Sequence, residues 1–249
     1  MKTVLLLGGT ADARELEKTL RVQGLSVIYS IAGLVRVPDV ACDIVSGGFS
    51  QFGGLTSYIK NRRVDAIVDA THPYAEKMSA TAVQSAAICG IPCWRFNRPA
   101  WKQEQSDSWK TFDNWQTLIR ALTDKKSVFF TAGQLPQSVL DALVGNNKNC
   151  QHQLLRTAVK PKEELPDSMV WIKAIGPFSR QGENELMEKF QVDVLVSKNS
   201  GGNATSAKLL AARESNISVF MLRRPILPSA DKEFDDLAAC AKQVMQWLH

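Results

Sequence analysis

With 249 residues, 45% of them hydrophobic and 22% charged, the chain has ordinary globular composition, which excludes the disordered and fibrous classes. Its net charge of +5 is scattered, apart from short pairs such as Arg62-Arg63, Lys125-Lys126 and Arg223-Arg224, so it suits a polyanionic small molecule and not nucleic acid. Five cysteines form no CxxC pair and no zinc spacing with the three histidines, and the first apolar run, Val4–Leu7, is short; we expect no metal, no disulfide framework, no signal peptide and no membrane span, hence a cytoplasmic protein.

From the N-terminus, short apolar runs alternate with helical patterns. Thr3–Leu7, Ser26–Tyr29, Asp43–Val45, Ala66–Val68 and Pro92–Phe96 read as strands. Between them, Ala13, Leu16 and Leu20 share one helical face, as do Ala75, Met78, Ala82 and Ala86. A polar stretch at 102–110, flanked by Trp101 and Trp109, breaks the rhythm and reads as an interdomain link. Strands then resume at Val128–Thr131, Gln153–Leu155, Val170–Ile175, Val194–Ser197 and Val219–Leu222, with helices at Leu135–Val144, Glu183–Phe190 and, closing the chain, Leu237–Leu248. This alternation predicts an α/β fold of parallel sheets flanked by helices, in two domains spanning 1–101 and 111–249. An internal echo supports paired Rossmann-like βαβ units: the segment from Gly8 resembles the segment from Gly201, each with a glycine pair, a helix and a second strand.

Three loops carry candidate chemistry. In VLLLGGTADAREL, Gly8, Gly9, Thr10 and Ala11 stand where a buried strand becomes a helix, a turn that lets a pyrophosphate meet backbone N–H groups and the helix dipole, with Thr10 adding a hydroxyl. After the second strand no acid occurs until Asp39; Ser30 and Arg36, beyond Gly33, can instead receive a 2′-phosphate, which favours NADPH while leaving NADH open. In VDATHPYAEK, Thr71, His72 and Pro73 lie at a strand's carboxyl end, beside the expected nicotinamide, with Pro73 starting the next helix. In VLVSKNSGGNATSAK, Lys198, Asn199, Ser200, Gly201 and Gly202 form an anion-binding turn without Walker spacing, Asn203 or Thr205 can cap the helix, and Lys208 follows within a turn.

Taken in order, LLGGTADAR, SIAGLVRVP, GGF, VDATHPYA, IPCWRFNRPAW, GPF, and KNSGG with KLLAAR resemble the precorrin-6A reductase family of cobalamin biosynthesis, from Leu5 to about Pro225. The resemblance implies two Rossmann-like domains with NADPH and the macrocycle in a cleft between them. It also implies reduction of one double bond of precorrin-6A, or of its cobalt form, to precorrin-6B. Gly8, Gly9 and Thr10 match the family's cofactor turn, and Lys198 to Gly202 its second loop. A substrate rimmed with carboxylates suits the basic excess, Thr205 and Lys208 joining the second loop as its contacts. Hydride transfer to a conjugated ring asks mainly for alignment, and no catalytic residue is assigned. A non-catalytic NADP(H) sensor is the alternative, but has no use for the second loop. A short-chain dehydrogenase would need a Tyr-x-x-x-Lys pair, whereas Tyr29, Tyr58 and Tyr74 are followed four residues on by Gly33, Arg62 and Met78. Monomer and small homo-oligomer are both compatible with the sequence.

Overall fold

A computed structural model describes residues 2–33, 39–146 and 151–247. The chain divides into two compact units, 1–99 with 225–249, and 100–224. The first opens with β1 (Thr3–Leu7), α1 (Ala11–Val22), β2 (Ser26–Ile31), β3 (Asp43–Ser46), a short 3-10 turn (Phe49–Phe52), α2 (Leu55–Arg62), β4 (Ala66–Asp69), α3 (Glu76–Cys89) and β5 (Cys93–Phe96). The second holds β6 (Trp109–Phe112), α4 (Trp115–Arg120), β7 (Ser127–Phe130), α5 (Gln137–Asn146), β8 (His152–Thr157), β9 (Met169–Lys173), α6 (Arg180–Lys189), β10 (Val194–Lys198), α7 (Ala207–Glu214) and β11 (Ser218–Leu222). The chain then returns to the first unit through β12 (Lys232–Phe234) and α8 (Leu237–Gln246).

Each unit is built on a six-stranded, all-parallel sheet. The orders are β3-β2-β1-β4-β5-β12 and β9-β8-β7-β10-β11-β6. The inner strands are continuous apolar runs because both faces are covered. In β1, alternate side chains go to opposite faces: Val4 and Leu6 pack with Ala13, Leu16 and Leu20 of α1 and Cys240, Ala241 and Val244 of α8. Leu5 and Leu7 pack with Leu55 and Ile59 of α2 and Ala82 and Ala86 of α3. In the second unit, Phe129, Leu195 and Val219 are covered by Met187, Leu209, Ala211 and Ala212 from α6 and α7. Among the described residues no helix is long and apolar enough to cross a membrane.

The expected domain limits need two corrections. The second domain does not run on to the end of the chain: from Pro225 the polypeptide rejoins the first unit, where β12 pairs with β5 and Asn97 N donates to Phe234 O at 2.8 Å. Nor is 102–110 a link, since these residues belong to the second unit and Trp109 and Lys110 open β6. Both strands escape periodicity reasoning for one reason. They lie at sheet edges, where Lys110, Thr111, Lys232 and Glu233 are exposed, so neither presents an apolar run.

The internal echo also acquires a position. The Gly8 turn follows β1, whereas the Gly201 turn follows β10, which occupies in its sheet the place of β4. The counterpart of KNSGG is therefore THPYA, and the counterpart of Gly8-Gly9 is the loop after β7 containing Gly133.

Ending the chain after Arg224 would remove β12, α8 and the Trp247 indole that packs edge-on against Trp94 at 5.3 Å. Hydrogen exchange followed by mass spectrometry is expected to show lost protection in α1, β4 and β5, with β7, β10 and β11 still protected. Unchanged protection of β4 and β5 would refute this division of the chain.

Candidate functional site

In the first sheet the strand order reverses between β1 and β4, and at such a switch point the loops leaving the carboxyl ends diverge and leave a crevice. The two predicted cofactor loops leave from these strands. Gly8 N donates to Ser30 O at 2.8 Å, so Ser30, itself buried, holds the turn to β2. The two glycines are needed for different reasons. A Cβ on Gly8 would fall 2.3 Å from Cζ of Tyr29, which is 0% exposed and fills the space beneath the turn. Gly9 has open space around it but a φ of +100°, a backbone state that side chains penalise. Gly9 N donates to Tyr29 Oη at 3.0 Å, and burial raises the pKa of that phenol.

Thr10 does not offer its hydroxyl to a ligand. It is the N-cap of α1: Oγ1 accepts from Ala13 N at 3.0 Å and donates to Ala70 O at 3.0 Å, which fastens the glycine turn to the end of β4. Helix geometry leaves the Ala11 and Asp12 N–H groups without intrahelical acceptors, and these are the donors the turn presents to an anion. The Asp12 carboxylate is engaged by Arg98, Nη1 to Oδ2 at 2.9 Å. Gly33 is exposed in the loop after β2, and Arg36 lies outside the described residues.

The end of β4 is set by charge. Asp69, 1% exposed, receives Arg95 Nε on Oδ2 at 3.0 Å and Thr71 Oγ1 on Oδ1 at 2.7 Å. Arg95, on β5, also donates through Nη1 to Pro228 O at 2.8 Å and Glu233 Oε1 at 2.9 Å. Beyond Thr71 the expected helix start at Pro73 is corrected. Ala75 N donates to His72 O at 2.7 Å, closing a turn with Pro73 in its second position, and α3 begins only at Glu76. Proline's fixed φ serves the turn, not the helix. His72 is exposed, its Nδ1 accepting from Tyr74 N at 3.3 Å. Thr71, His72 and Pro73 line a narrow crevice with Asp69 and Arg95, so the structure gathers the glycine turn and the THPYA turn at one switch point.

The second unit has its own switch point, between β7 and β10, and KNSGG leaves from it. Lys198 is half-buried, and burial lowers the pKa of its amine. Asn199 clamps the backbone of Trp101, Oδ1 accepting from its N–H at 2.8 Å and Nδ2 donating to its carbonyl at 3.0 Å. The Trp101 indole donates to Gly202 O at 2.9 Å, and Arg224 donates to Asn199 O at 2.7 Å and Ser200 O at 3.1 Å. Gly201 and Gly202 have φ of +70° and +76°, two consecutive left-handed residues that turn the chain sharply.

One expectation for this loop is corrected. Neither Asn203 nor Thr205 caps α7: the N-cap is Ser206, whose Oγ turns back to donate to Asn203 O at 3.0 Å, and Thr205 is half-buried. Lys208 does not stand in solvent. It is 4% exposed, its Nζ 5.3 Å from the Trp101 ring centre, because its helix face packs inward. Tyr29, Asp69 with Arg95, Arg98, Trp101 and Arg224 are the residues that sequence reasoning left without a role here. Arg95, Arg98 and Trp101 fall in IPCWRFNRPAW, whose order was informative while its chemistry was not. Among the described residues no group of three or more His, Cys, Asp or Glu is placed to hold a metal ion.

The Gly8–Tyr29 packing is directly testable. Gly8→Ala is expected to cost about 1–3 kcal/mol through overpacking. In urea denaturation the penalty should shrink in a Tyr29→Leu background, where Cζ and Oη are gone. Strictly additive penalties would refute the steric origin.

Comparison with known proteins places this geometry. The family described as "Precorrin-6x reductase CbiJ/CobK" matches residues 3–249. A precorrin-6A reductase of Rhodococcus erythropolis is 38% identical over 241 residues, covering 96% of this chain and 95% of the relative. One from Rhodobacter capsulatus is 35% identical, covering 100% and 96%. A cobalt-precorrin-6A reductase of Priestia megaterium is 28% identical, covering 89% and 90%. The solved structure described as "CobK precorrin-6A reductase" superposes with a TM-score of 0.86 at 33% identity, over 100% of this chain and 96% of the other. On full-length agreement in sequence and fold, the chain belongs to the precorrin-6x reductase family.

Proposed function

We propose that this protein is an oxidoreductase that reduces one carbon–carbon double bond of precorrin-6A with NADPH, giving precorrin-6B in cobalamin biosynthesis. The observation that carries the reading is the pair of furnished switch points in a member of this family. One bears a glycine turn with helix N–H donors, suited to a dinucleotide. The other bears a pinned loop with Lys198 at its root, suited to a polycarboxylate. The metal-free ring is favoured over the cobalt form because relatives named for precorrin-6A are 33–38% identical, and those named for the cobalt form 25–28%.

The fit of a dinucleotide to the first unit rests on the open space at Gly9 and on the Ala11 and Asp12 N–H groups at the start of α1. When bound, the reduced nicotinamide supplies a hydride to one ring carbon, and the adjacent carbon takes a proton. The protein's part is to hold and orient: Gly8, Gly9 and Ala11 seat the pyrophosphate, Thr10 locks the turn to β4, and Thr71, His72 and Pro73 border the nicotinamide. Ser30, Gly33 and Arg36 receive the 2′-phosphate end. Lys198, Asn199, Ser200, Gly201, Gly202 and Thr205, with Lys208 beneath, hold the macrocycle.

Three outcomes are expected. Incubation with NADPH and precorrin-6A should consume nicotinamide absorbance; binding of NADPH with no consumption would favour the sensor. Arg36→Ala should weaken NADPH by about 1–3 kcal/mol and leave NADH nearly untouched, the signature of one lost charge-assisted hydrogen bond. Lys198→Ala should raise the apparent Michaelis constant for precorrin-6A about tenfold, roughly 1.4 kcal/mol, with NADPH affinity unchanged. Loss of NADPH binding in that variant would transfer the loop to the cofactor.

A further inference from the structure

At the carboxyl ends of β8 and β10 the second unit buries three ionisable side chains together. Arg156, on β8, and Glu183, in the first turn of α6, pair at 2.8 Å with their side chains 8% and 1% exposed. The Arg156 guanidinium carbon sits 3.8 Å from the Phe178 ring centre and 5.0 Å from that of Phe129. Lys208, on α7, completes the cluster under the Trp101 indole, and among the described residues it makes no hydrogen bond.

The charge count is unbalanced. Glu183 neutralises Arg156, which leaves no anion for an ammonium at Lys208, and a buried ion without a partner is strongly disfavoured. Glu183 makes no hydrogen bond to Lys208: beyond the ion pair at Oε1, neither of its carboxylate oxygens has a hydrogen-bond partner among the described residues. Burial first, and then Arg156, bring the amine down to about 7, with Glu183 acting in the opposite direction. A neutral amine balances the cluster as long as no anion is present. The Trp101 that covers it also holds Asn199 and Gly202, so the amine lies directly behind the loop assigned to the macrocycle.

We propose that Lys208 receives one peripheral carboxylate of the bound ring and takes up a proton from solvent as that carboxylate arrives. This rests on the assignment of the Lys198–Gly202 loop to the substrate. The linkage has a definite sign: the free protein titrates near pH 7, and the ring-bound protein at a higher value, because the carboxylate favours the ammonium. Affinity is therefore full below about pH 7 and falls as pH rises from there towards the bound value.

The test is the dissociation constant of precorrin-6A for the NADP⁺-loaded protein between about pH 6 and pH 9, read by tryptophan fluorescence. For the wild type it should be flat at the acid end, then rise by up to about tenfold per pH unit. Lys208→Met should bind weakly at all pH values with a flattened profile, and Lys208→Arg, permanently charged, should bind tightly with a flattened profile. Lys198 is also lowered by burial, so Lys198→Arg, carrying fixed charge there, should keep the wild-type profile. Calorimetry in two buffers of different ionisation enthalpy should register proton uptake in the wild type and in Lys198→Arg, and in neither Lys208 variant. Near-UV circular dichroism and urea denaturation of each variant report that the second unit, which carries the substitution, is folded. The same profile in wild type and Lys208→Met, or no proton uptake, would overturn the inference while leaving the loop assignment standing. Unchanged precorrin-6A affinity in Lys198→Ala would overturn both.

Discussion

The guanidinium of Arg95 is the point on which the first unit closes. Through Nε it meets the carboxylate ending β4, and through Nη1 it reaches Pro228 and Glu233, more than a hundred residues further along the chain. A charge 2% exposed is tolerable only because its partners are in place, and removing any one of them would strand the others. Asp69 shares its second oxygen with Thr71, so the same network fixes where the THPYA turn begins. Thr10 then fastens the glycine turn to the next residue, Ala70. The candidate cofactor loops are thus suspended from one buried ion pair and one capping hydroxyl.

The two units solve the same problem with the same strand plan. In each, the first strand of the reversal, β1 or β7, is flanked on one side by two strands that follow it directly and on the other by strands that come later. The sixth position is filled differently, by β12 from the end of the chain in one sheet and by β6 from the start of the unit in the other. The plan places the THPYA loop after β4 and its counterpart, KNSGG, after β10. The two carry different chemistry, one ordered by a carboxylate–arginine pair, the other by an asparagine clamp and an indole.

Much of this was legible in the sequence because buried parallel strands announce themselves. Ten of the strands coincide with apolar runs such as Val4–Leu7 and Leu195–Val196, and α1, α3, α5, α6 and α8 with helical patterns, whereas the short α2 and α4 were not anticipated. What escaped was what depends on partners remote in the chain. β6 and β12 are strands because an edge was free to accept them, not because Trp-Lys-Thr-Phe or Lys-Glu-Phe is strongly extended. The glycine turn was recognisable, but not that Tyr29 demands Gly8, since a ring passing beneath a turn 20 residues away leaves no spacing signature. The Thr10 hydroxyl resembled a ligand donor and proved a cap, and nothing in the spacing of Lys208 announces that its side chain is buried.

The return of the chain after Arg224 bears on how the protein is made. The second unit is complete once β11 has been synthesised, whereas the first, although begun earlier, lacks the strand beside β5 and the helix over Val4 and Leu6 until about the last twenty-five residues emerge. On the ribosome, then, the part begun first finishes last. Until that moment β5 presents an unpaired edge, an open template for another strand, and the interval during which the nascent chain is most liable to mispair is set by the length of the unit inserted within it.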